Sequence, residues 1–294
     1  MNVRSFKNIR DKVVLVTGAS SGIGEAISRE VAARGGRVVM VARREGELAR
    51  IGTEIREAGG LADWICADLT DDDARTRLLV DLQERYGEID ILVSNAGSGW
   101  YGPSWEMSWD TAHSLIELNV IATVRLALAL MPQMVAKRHG HIIAIGSIAG
   151  SLPAQGIAIY AATKAFLNSF FRSAYRETRR SGVAVSLVKP GVVTTPFFDS
   201  ARDHGGRPIP FSRSGTTPAQ VARRVVRLMR WPRRSIYIPF FLRVVPLAGV
   251  LLGWVFDALG PIALRPRERA TPNAPQVPGG GLPSRILAAS ETSS

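Results

Sequence analysis

From residue 12 onward the chain alternates short runs of consecutive apolar, mostly β-branched residues with longer stretches where apolar residues recur every three or four positions. A short run apolar at nearly every position suits a strand buried on both faces, and the 3.6-residue period suits helices lying on those faces. The pattern predicts strands over 13–17, 37–42, 61–66, 89–94, 141–146, 183–189 and 235–238. It predicts helices over 22–34, 46–58, 71–86, 111–138, 157–181 and 218–230. Strands alternating with helices of this length join as parallel crossovers, so the expected fold is α/β: one doubly wound parallel sheet of about seven strands, without internal repeats.

Three segments break the pattern. Residues 196–217 are rich in Gly, Pro and Ser yet carry Phe197, Phe198 and Phe211, which predicts a lid with an apolar underside. Residues 240–265 form an apolar extension, and 266–294 turn to Pro, Gly, Ser and Ala, a composition expected to be disordered. The α/β domain is thus expected to occupy 1–239.

With 294 residues, 46% of them hydrophobic, the chain has ample material for one large core. Cys66 is the single cysteine, so no intramolecular disulfide is expected, and the start MNVRSFKNIRDK lacks an apolar run. Both predict a cytoplasmic protein. The net charge is +12, and residues 200–269, with thirteen arginines against Asp203, Asp257 and Glu268, hold +10 of it. A basic stretch of this kind meets nucleic acid or an anionic membrane. The arginines adjoin Pro, Trp and a long apolar run without a recognisable nucleic-acid-binding signature, so no nucleic-acid partner is expected.

The uninterrupted apolar run 244–256 has thirteen residues and contains Pro246, Gly249 and Gly253. It is short of the roughly 20 needed to span a bilayer. Two readings remain for the extension: it packs on a partner subunit, or it lies in a membrane interface. In the second, Phe240, Phe241 and Trp254 are buried in lipid, and the arginines of 223–234 and 265–269 meet headgroups. The concentration of charge favours the membrane, which predicts peripheral association.

The first strand runs directly into Thr17-Gly18-Ala19-Ser20-Ser21-Gly22-Ile23-Gly24 and then a helix. Glycines there let backbone amides approach a pyrophosphate, and the helix N-terminus adds free N–H groups and partial positive charge. The spacing G-x-x-x-G-x-G departs from the G-x-G-x-x-G fingerprint, so the placement between strand and helix carries the reading against that of an ordinary glycine-rich turn. Further on, Tyr160-Ala161-Ala162-Thr163-Lys164 sets a phenol and an ammonium four apart on a helix, hence on one face. Asn95-Ala96-Gly97 closes the fourth strand, Ser147 follows the fifth, and Asn119 lies within the long helix between them. Alone, Asn119 reads as a packing amide and Ser147 as a strand-end cap. Together they gather at the carboxyl edge of a parallel sheet, where ligands bind. His113, His139, His141 and His204 lack metal-ligand spacing and are expected on the surface or in loops, and no metal site is expected.

TGASSGIG, NAG, Asn119, Ser147, YAATK and Pro190-Gly191, in this order over about residues 11–239, resemble the short-chain dehydrogenase/reductase family. The resemblance implies a Rossmann-type fold, a nicotinamide cofactor, and Asn119, Ser147, Tyr160 and Lys164 as the catalytic set. It implies cofactor contacts at Gly18, Ser20, Ser21, Gly22, Ile23 and Gly24, and at Asp68, which faces the adenine, and Leu69. Further contacts fall on Asn95, Ala96 and Gly97, on Tyr160 and Lys164, and on Pro190, Gly191, Val193 and Thr195. It also implies a homodimer or homotetramer through helices 111–138 and 157–181.

When hydride reaches a carbonyl, negative charge grows on the oxygen and a positioned acid must meet it. Free tyrosine, with a pKa near 10, is a poor donor at neutral pH. Lys164 and the oxidised nicotinamide are expected to lower it, at about 1.4 kcal/mol per pKa unit. Ser147 is expected to donate to the same oxygen, as in an oxyanion hole. By resemblance, Asn119 helps hold a water linking Lys164 to solvent, and Lys164 also bonds the nicotinamide ribose.

The second strand ends in Ala42-Arg43-Arg44, without the acid that commonly meets a ribose 2′-hydroxyl. Arginine suits a 2′-phosphate, so NADP(H) is expected, with Arg43 leading and Arg44 or Ser20 assisting. Trp100, Tyr101, Trp105 and Trp109 follow the NAG turn, and with the lid phenylalanines they either pack the subunit core or line a pocket; the second reading favours an apolar, lipid- or steroid-like carbonyl or alcohol over a sugar as substrate. The competing class is a non-catalytic cofactor-binding sensor or membrane-associated scaffold; the presence of both Tyr160 and Lys164 argues for the enzyme.

Overall fold

A computed structural model describes residues 6, 8–152, 154–195, 197, 206, 215–247, 254 and 258. Seven parallel strands lie in the order β3-β2-β1-β4-β5-β6-β7: β1 Val13–Thr17, β2 Arg37–Ala42, β3 Leu61–Cys66, β4 Ile91–Ser94, β5 Gly140–Ile145, β6 Val183–Pro190 and β7 Ser235–Ile238. The helices are α1 Gly22–Ala32, α2 Glu45–Glu57, α3 Asp72–Tyr86, α4 Trp109–Ile116, α5 Ala122–Lys137, α6 Ala158–Glu177 and α7 Pro218–Arg230. Most expected elements are present, and four strands have the expected bounds. The fourth strand starts two residues late, and just before it the Asp90 carboxylate accepts from the Val13 N–H at 3.0 Å and from Lys12 Nζ at 3.3 Å.

Successive strand residues feed opposite cores, as the pleat requires. Val14 and Val16 pack with Ile27, Leu48, Ile51, Val221 and Val225 under α1, α2 and α7. Leu15 packs with Leu78, Leu126, Leu167 and Phe171 under α3, α5 and α6. Each such fully buried side chain contributes about 1.5–3 kcal/mol relative to exposure. Asp71 caps α3, accepting from the Asp73 and Ala74 N–H groups, and Thr217 and Gln220 form a capping box on α7 with Pro218 in the first turn.

Three expectations change. The helix foreseen over 111–138 is three pieces, α4 and α5 joined by a π turn, Glu117–Ile121, that holds Asn119. Buried Arg75 anchors this turn, donating to the Leu69 carbonyl at 2.8 Å and to Glu117 Oε2 at 3.0 Å. The helix foreseen over 157–181 ends at Glu177 and passes into a 3-10 turn, Thr178–Arg180. His141, expected on the surface, is fully buried in β5 with Nε2 2.8 Å from Ser186 Oγ, because its strand lies in the middle of the sheet. Of the expected lid, Phe197, Gly206 and Gly215–Thr217 are described, whereas Phe198 and Phe211 lie outside the described residues, as does the tail 266–294.

The combined stretch Trp109–Lys137 is long and apolar enough to cross a membrane, but Leu126, Ala127, Leu130 and Met134 are built into the core. The strand order turns back between β1 and β4, and it is at the carboxyl ends of these strands that a doubly wound sheet opens a cleft.

Candidate active site

The loop from β1 to α1 is glycine-rich for steric reasons. Gly18 and Gly22 have φ +64° and +58°, and a Cβ on Gly18 would stand 2.8 Å from the Ala96 Cα. A Cβ on Gly24 would stand 2.2 Å from the Gly18 carbonyl oxygen, so α1 starts flush against the loop. Asn95 Nδ2 donates to the carbonyls of Thr17 and Gly18 at 2.9 and 3.2 Å, and Thr17 Oγ1 accepts from the Asn95 and Ala96 N–H groups at 3.0 Å each. These bonds clamp the loop to the end of β4. Ser21 precedes α1 in extended conformation without a side-chain cap, leaving the first-turn amides of α1 open to an anion.

Arg44 leans over this loop. Its Nη2 donates to Ser21 Oγ at 2.7 Å and Ser20 Oγ at 3.0 Å, and its Nε to Ser20 Oγ at 3.2 Å. Arg43 is 61% exposed and turns to Asp68, with Nη1 3.7 Å from Oδ2. Of the two arginines, Arg44 is the one hydrogen-bonded to the glycine loop. Partial burial raises the Asp68 carboxyl, but hydrogen bonds from the Thr70 N–H and hydroxyl, with Arg43 beside it, hold it below the usual carboxylate range.

On α6, Tyr160 and Lys164 share one face as their spacing requires, with Lys164 Nζ 5.7 Å from the phenol ring centre. Lys164 Nζ donates to the Ile145 carbonyl at 3.1 Å, and burial lowers its pKa to about 8. Burial pushes the Tyr160 phenol above its ordinary value, while its hydrogen bond with Ser147 acts the other way. Ser147 caps the 3-10 turn Ile148–Gly150, accepting from the Ala149 N–H at 3.1 Å. Gly150 packs so closely on α6 that a Cβ would meet the Lys164 carbonyl carbon at 2.5 Å, which draws Ser147 toward the phenol.

Asn119 stands behind this group. It is fully buried, its Oδ1 accepts from the Ser98 N–H at 2.9 Å, and its Nδ2 donates to the Ser98 carbonyl at 2.9 Å and to Thr163 Oγ1 at 3.1 Å.

One cavity of about 790 Å³ joins these parts. Of the residues singled out in the sequence, Gly18, Ser20 to Ile23, Arg43, Arg44, Leu69, Asn95 to Gly97, Ser147, Tyr160, Lys164, Pro190, Gly191, Val193 and Thr195 line it, whereas Gly24, Asp68 and Asn119 do not. Trp100 lines it as expected. Trp105 and Trp109 stay outside and exposed, and Tyr101 packs on Gly156. The remaining wall is almost wholly apolar: Ile148, Leu152, Ala154, Ile157, Val192, Phe197, Leu242 and Val245. Phe197 tilts against Tyr160 with ring centres 5.8 Å apart. Leu242 and Val245 were not foreseen, because the 240–265 extension reads in sequence as an outward-facing segment. Among the described residues no cluster of three or more His, Cys, Asp or Glu is placed to hold a metal.

Comparison with known proteins agrees with this geometry. The short chain dehydrogenase family profile matches residues 12–205. The 3-oxoacyl-(acyl-carrier-protein) reductase FabG of Escherichia coli (strain K12) is 38% identical over 196 residues, 67% of this chain and 79% of its own length. A short-chain dehydrogenase from Sphingobium yanoikuyae in complex with NADPH superimposes with TM-score 0.72 at 28% identity, covering 88% of this chain and 98% of its own. One from Burkholderia phymatum in complex with NAD gives TM-score 0.75 at 25% identity, covering 92% and 99%.

Proposed function

The chain belongs to the short-chain dehydrogenase/reductase family, and we propose that it is an NADP(H)-dependent oxidoreductase interconverting a carbonyl and a secondary alcohol on an apolar substrate. The observation that carries this reading is the lining of a single cavity, which holds Arg44 over two serine hydroxyls, the half-buried Tyr160 and buried Lys164, and an otherwise almost wholly apolar wall.

The residues fit the cofactor. Gly18 and Gly22 hold their loop in left-handed backbone close against Ala96 and Thr195, the uncapped amides of α1 suit the charge of a pyrophosphate, and the Arg44 guanidinium suits a 2′-phosphate. The structural relatives include complexes with NADPH and with NAD, so the choice between the two rests on Arg44 and on the missing acid after β2. Bound NADPH supplies the hydride.

The chain's own groups supply the rest. Tyr160, a phenol and so protonated at neutral pH, hands its proton to the carbonyl oxygen as charge gathers there, its hydrogen bond with Ser147 working against the rise that burial imposes. The Ser147 hydroxyl donates to the same oxygen. Lys164, charged at neutral pH, stabilises the phenolate left behind, held in place by the Ile145 carbonyl. Asn119 fixes the backbone on which these groups stand. Exposed Ile121, Leu128 and Val135 on the α4–α5 stretch, with Phe166 on α6, support self-association through these helices.

The test is NADPH and NADH oxidation against carbonyl compounds graded from long-chain and polycyclic ketones to sugars. The reading requires faster turnover with NADPH and with the apolar compounds. A preference for NADH, or for sugars, overturns the corresponding half of it.

A further inference from the structure

β7 is the terminal strand of the sheet, and the chain leaving it folds at once into a 3-10 turn, Phe240–Val244. This turn and the residues just after it are apolar on two sides. Leu242 and Val245 line the catalytic cavity, with Leu242 lying over Gly191, where a Cβ would come within 2.7 Å of its Cδ1. Phe240, Phe241, Val244 and Leu247 look the other way and are 57–67% exposed. Single exposed apolar side chains are ordinary, but four within eight residues, two of them phenylalanine, mark a contact surface.

Charge identifies the partner. Residues 215–247 contain seven arginines and neither an acid nor a lysine. The Arg243 guanidinium lies 4.3 Å from the Phe240 ring centre, and at the other end of β7 the guanidinium groups of Arg227 and Arg230 lie 5.6 and 4.6 Å from Trp231. Arg233 and Arg234 sit at that far end, beyond the roughly 13 Å length of β7, and so flank the apolar patch instead of surrounding it. A symmetric contact with a second copy through this segment would add seven more arginines and bring no carboxylate from it to pair them. An anionic lipid surface neutralises them and takes up the aromatic rings in its interfacial zone.

We propose that the outer side of the Phe240–Leu247 segment docks on an anionic lipid membrane and sets the mouth of the cleft against the bilayer. The docking stands on the patch and its charge. Its use, passage of a membrane-dissolved substrate past Leu242 and Val245, rests on the apolar-substrate reading above.

The experiment is co-sedimentation of the full chain with vesicles of phosphatidylcholine alone and of phosphatidylcholine mixed with phosphatidylglycerol, at low and high salt. The protein should sediment with the mixed vesicles at low salt and be partly released by high salt. Two variants, Phe240→Ser/Phe241→Ser and Arg243→Glu, should each lose about tenfold or more in partition while keeping NADPH oxidation on a water-soluble ketone. Full-length protein left in the supernatant with mixed vesicles overturns the proposal, as does unchanged sedimentation of both variants. If light scattering shows that Phe240→Ser/Phe241→Ser splits an oligomer while vesicle binding persists, the face belongs to a second copy and the lipid assignment fails. Sedimentation is read independently of turnover, so an inactive protein that still binds vesicles refutes the catalytic reading and leaves this one standing.

Discussion

Asn119 Nδ2 donates to Thr163 Oγ1 at 3.1 Å, and Thr163 Oγ1 donates in turn to the carbonyl of Tyr160 at 2.7 Å. An amide in the π turn is thereby tied to the backbone of the residue proposed to move the proton, and through Ser98 to the loop after β4. Replacing Thr163 by Val keeps the shape and removes the link, leaving a buried amide hydrogen unpaired. Urea unfolding should show a loss of about 1–3 kcal/mol. Turnover should fall as well, with kcat affected more than KM for substrate. A stable variant with unchanged kcat would show that the link does not position Tyr160.

Tyr160→Phe should retain cofactor binding and lose about 10²–10⁴ in kcat, since the hydroxyl acts mainly in the transition state. Titration of NADPH fluorescence checks the first part and steady-state turnover the second. Near-normal turnover rules out the proton-transfer role.

Arg44→Ala should reduce kcat/KM for NADPH by about ten- to a hundredfold, the worth of a charge-assisted bond, and leave NADH nearly unchanged. Arg43→Ala should have the smaller effect, because its side chain is exposed and turned to Asp68. The ratio of kcat/KM for the two cofactors in each variant decides this, and an equal ratio in wild type and Arg44→Ala refutes it.

His141 makes stability depend on pH. Burial lowers its pKa to about 3, whereas the unfolded chain protonates a histidine near 6.5. At pH 7 both states are neutral there and the residue contributes no pH dependence. Between roughly 6.5 and 3 the unfolded chain takes up a proton that the folded chain refuses, so stability falls with falling pH by about 1.4 kcal/mol per unit. Between pH 7 and 5 this amounts to about 2 kcal/mol, and His141→Gln should lose that much less stability over the same interval. Equal losses in the two proteins would contradict it.

What was legible in the sequence follows from what kind of interaction decides each feature. Strands β1, β2, β3 and β7 could be bounded to the residue because their apolar runs end at Gly, Asp, Pro or charged residues, a local signal. The glycine loop and the Tyr160/Lys164 pair could be read because their spacing matches a backbone geometry. The π turn could not, since its residues keep helical periodicity and the anchoring Arg75 is forty-two residues from Glu117. Nor could the contact of Arg44 with the glycine loop, which depends on how far its side chain lies from Ser20 and Ser21 in space. Leu242 and Val245 were missed because an apolar residue in an extension looks the same whether it faces solvent, lipid or a cleft.

A single π turn holds one residue more than the regular helix it replaces, so α4 and α5 are out of phase by about 100° relative to an unbroken helix. Removing one residue of this turn other than Asn119 would cancel the extra residue, so that α4 and α5 kept their faces while the widened turn closed and the amide of Asn119 left Ser98 and Thr163. The extra residue is thus what lets one amide reach both the loop after β4 and the backbone of α6.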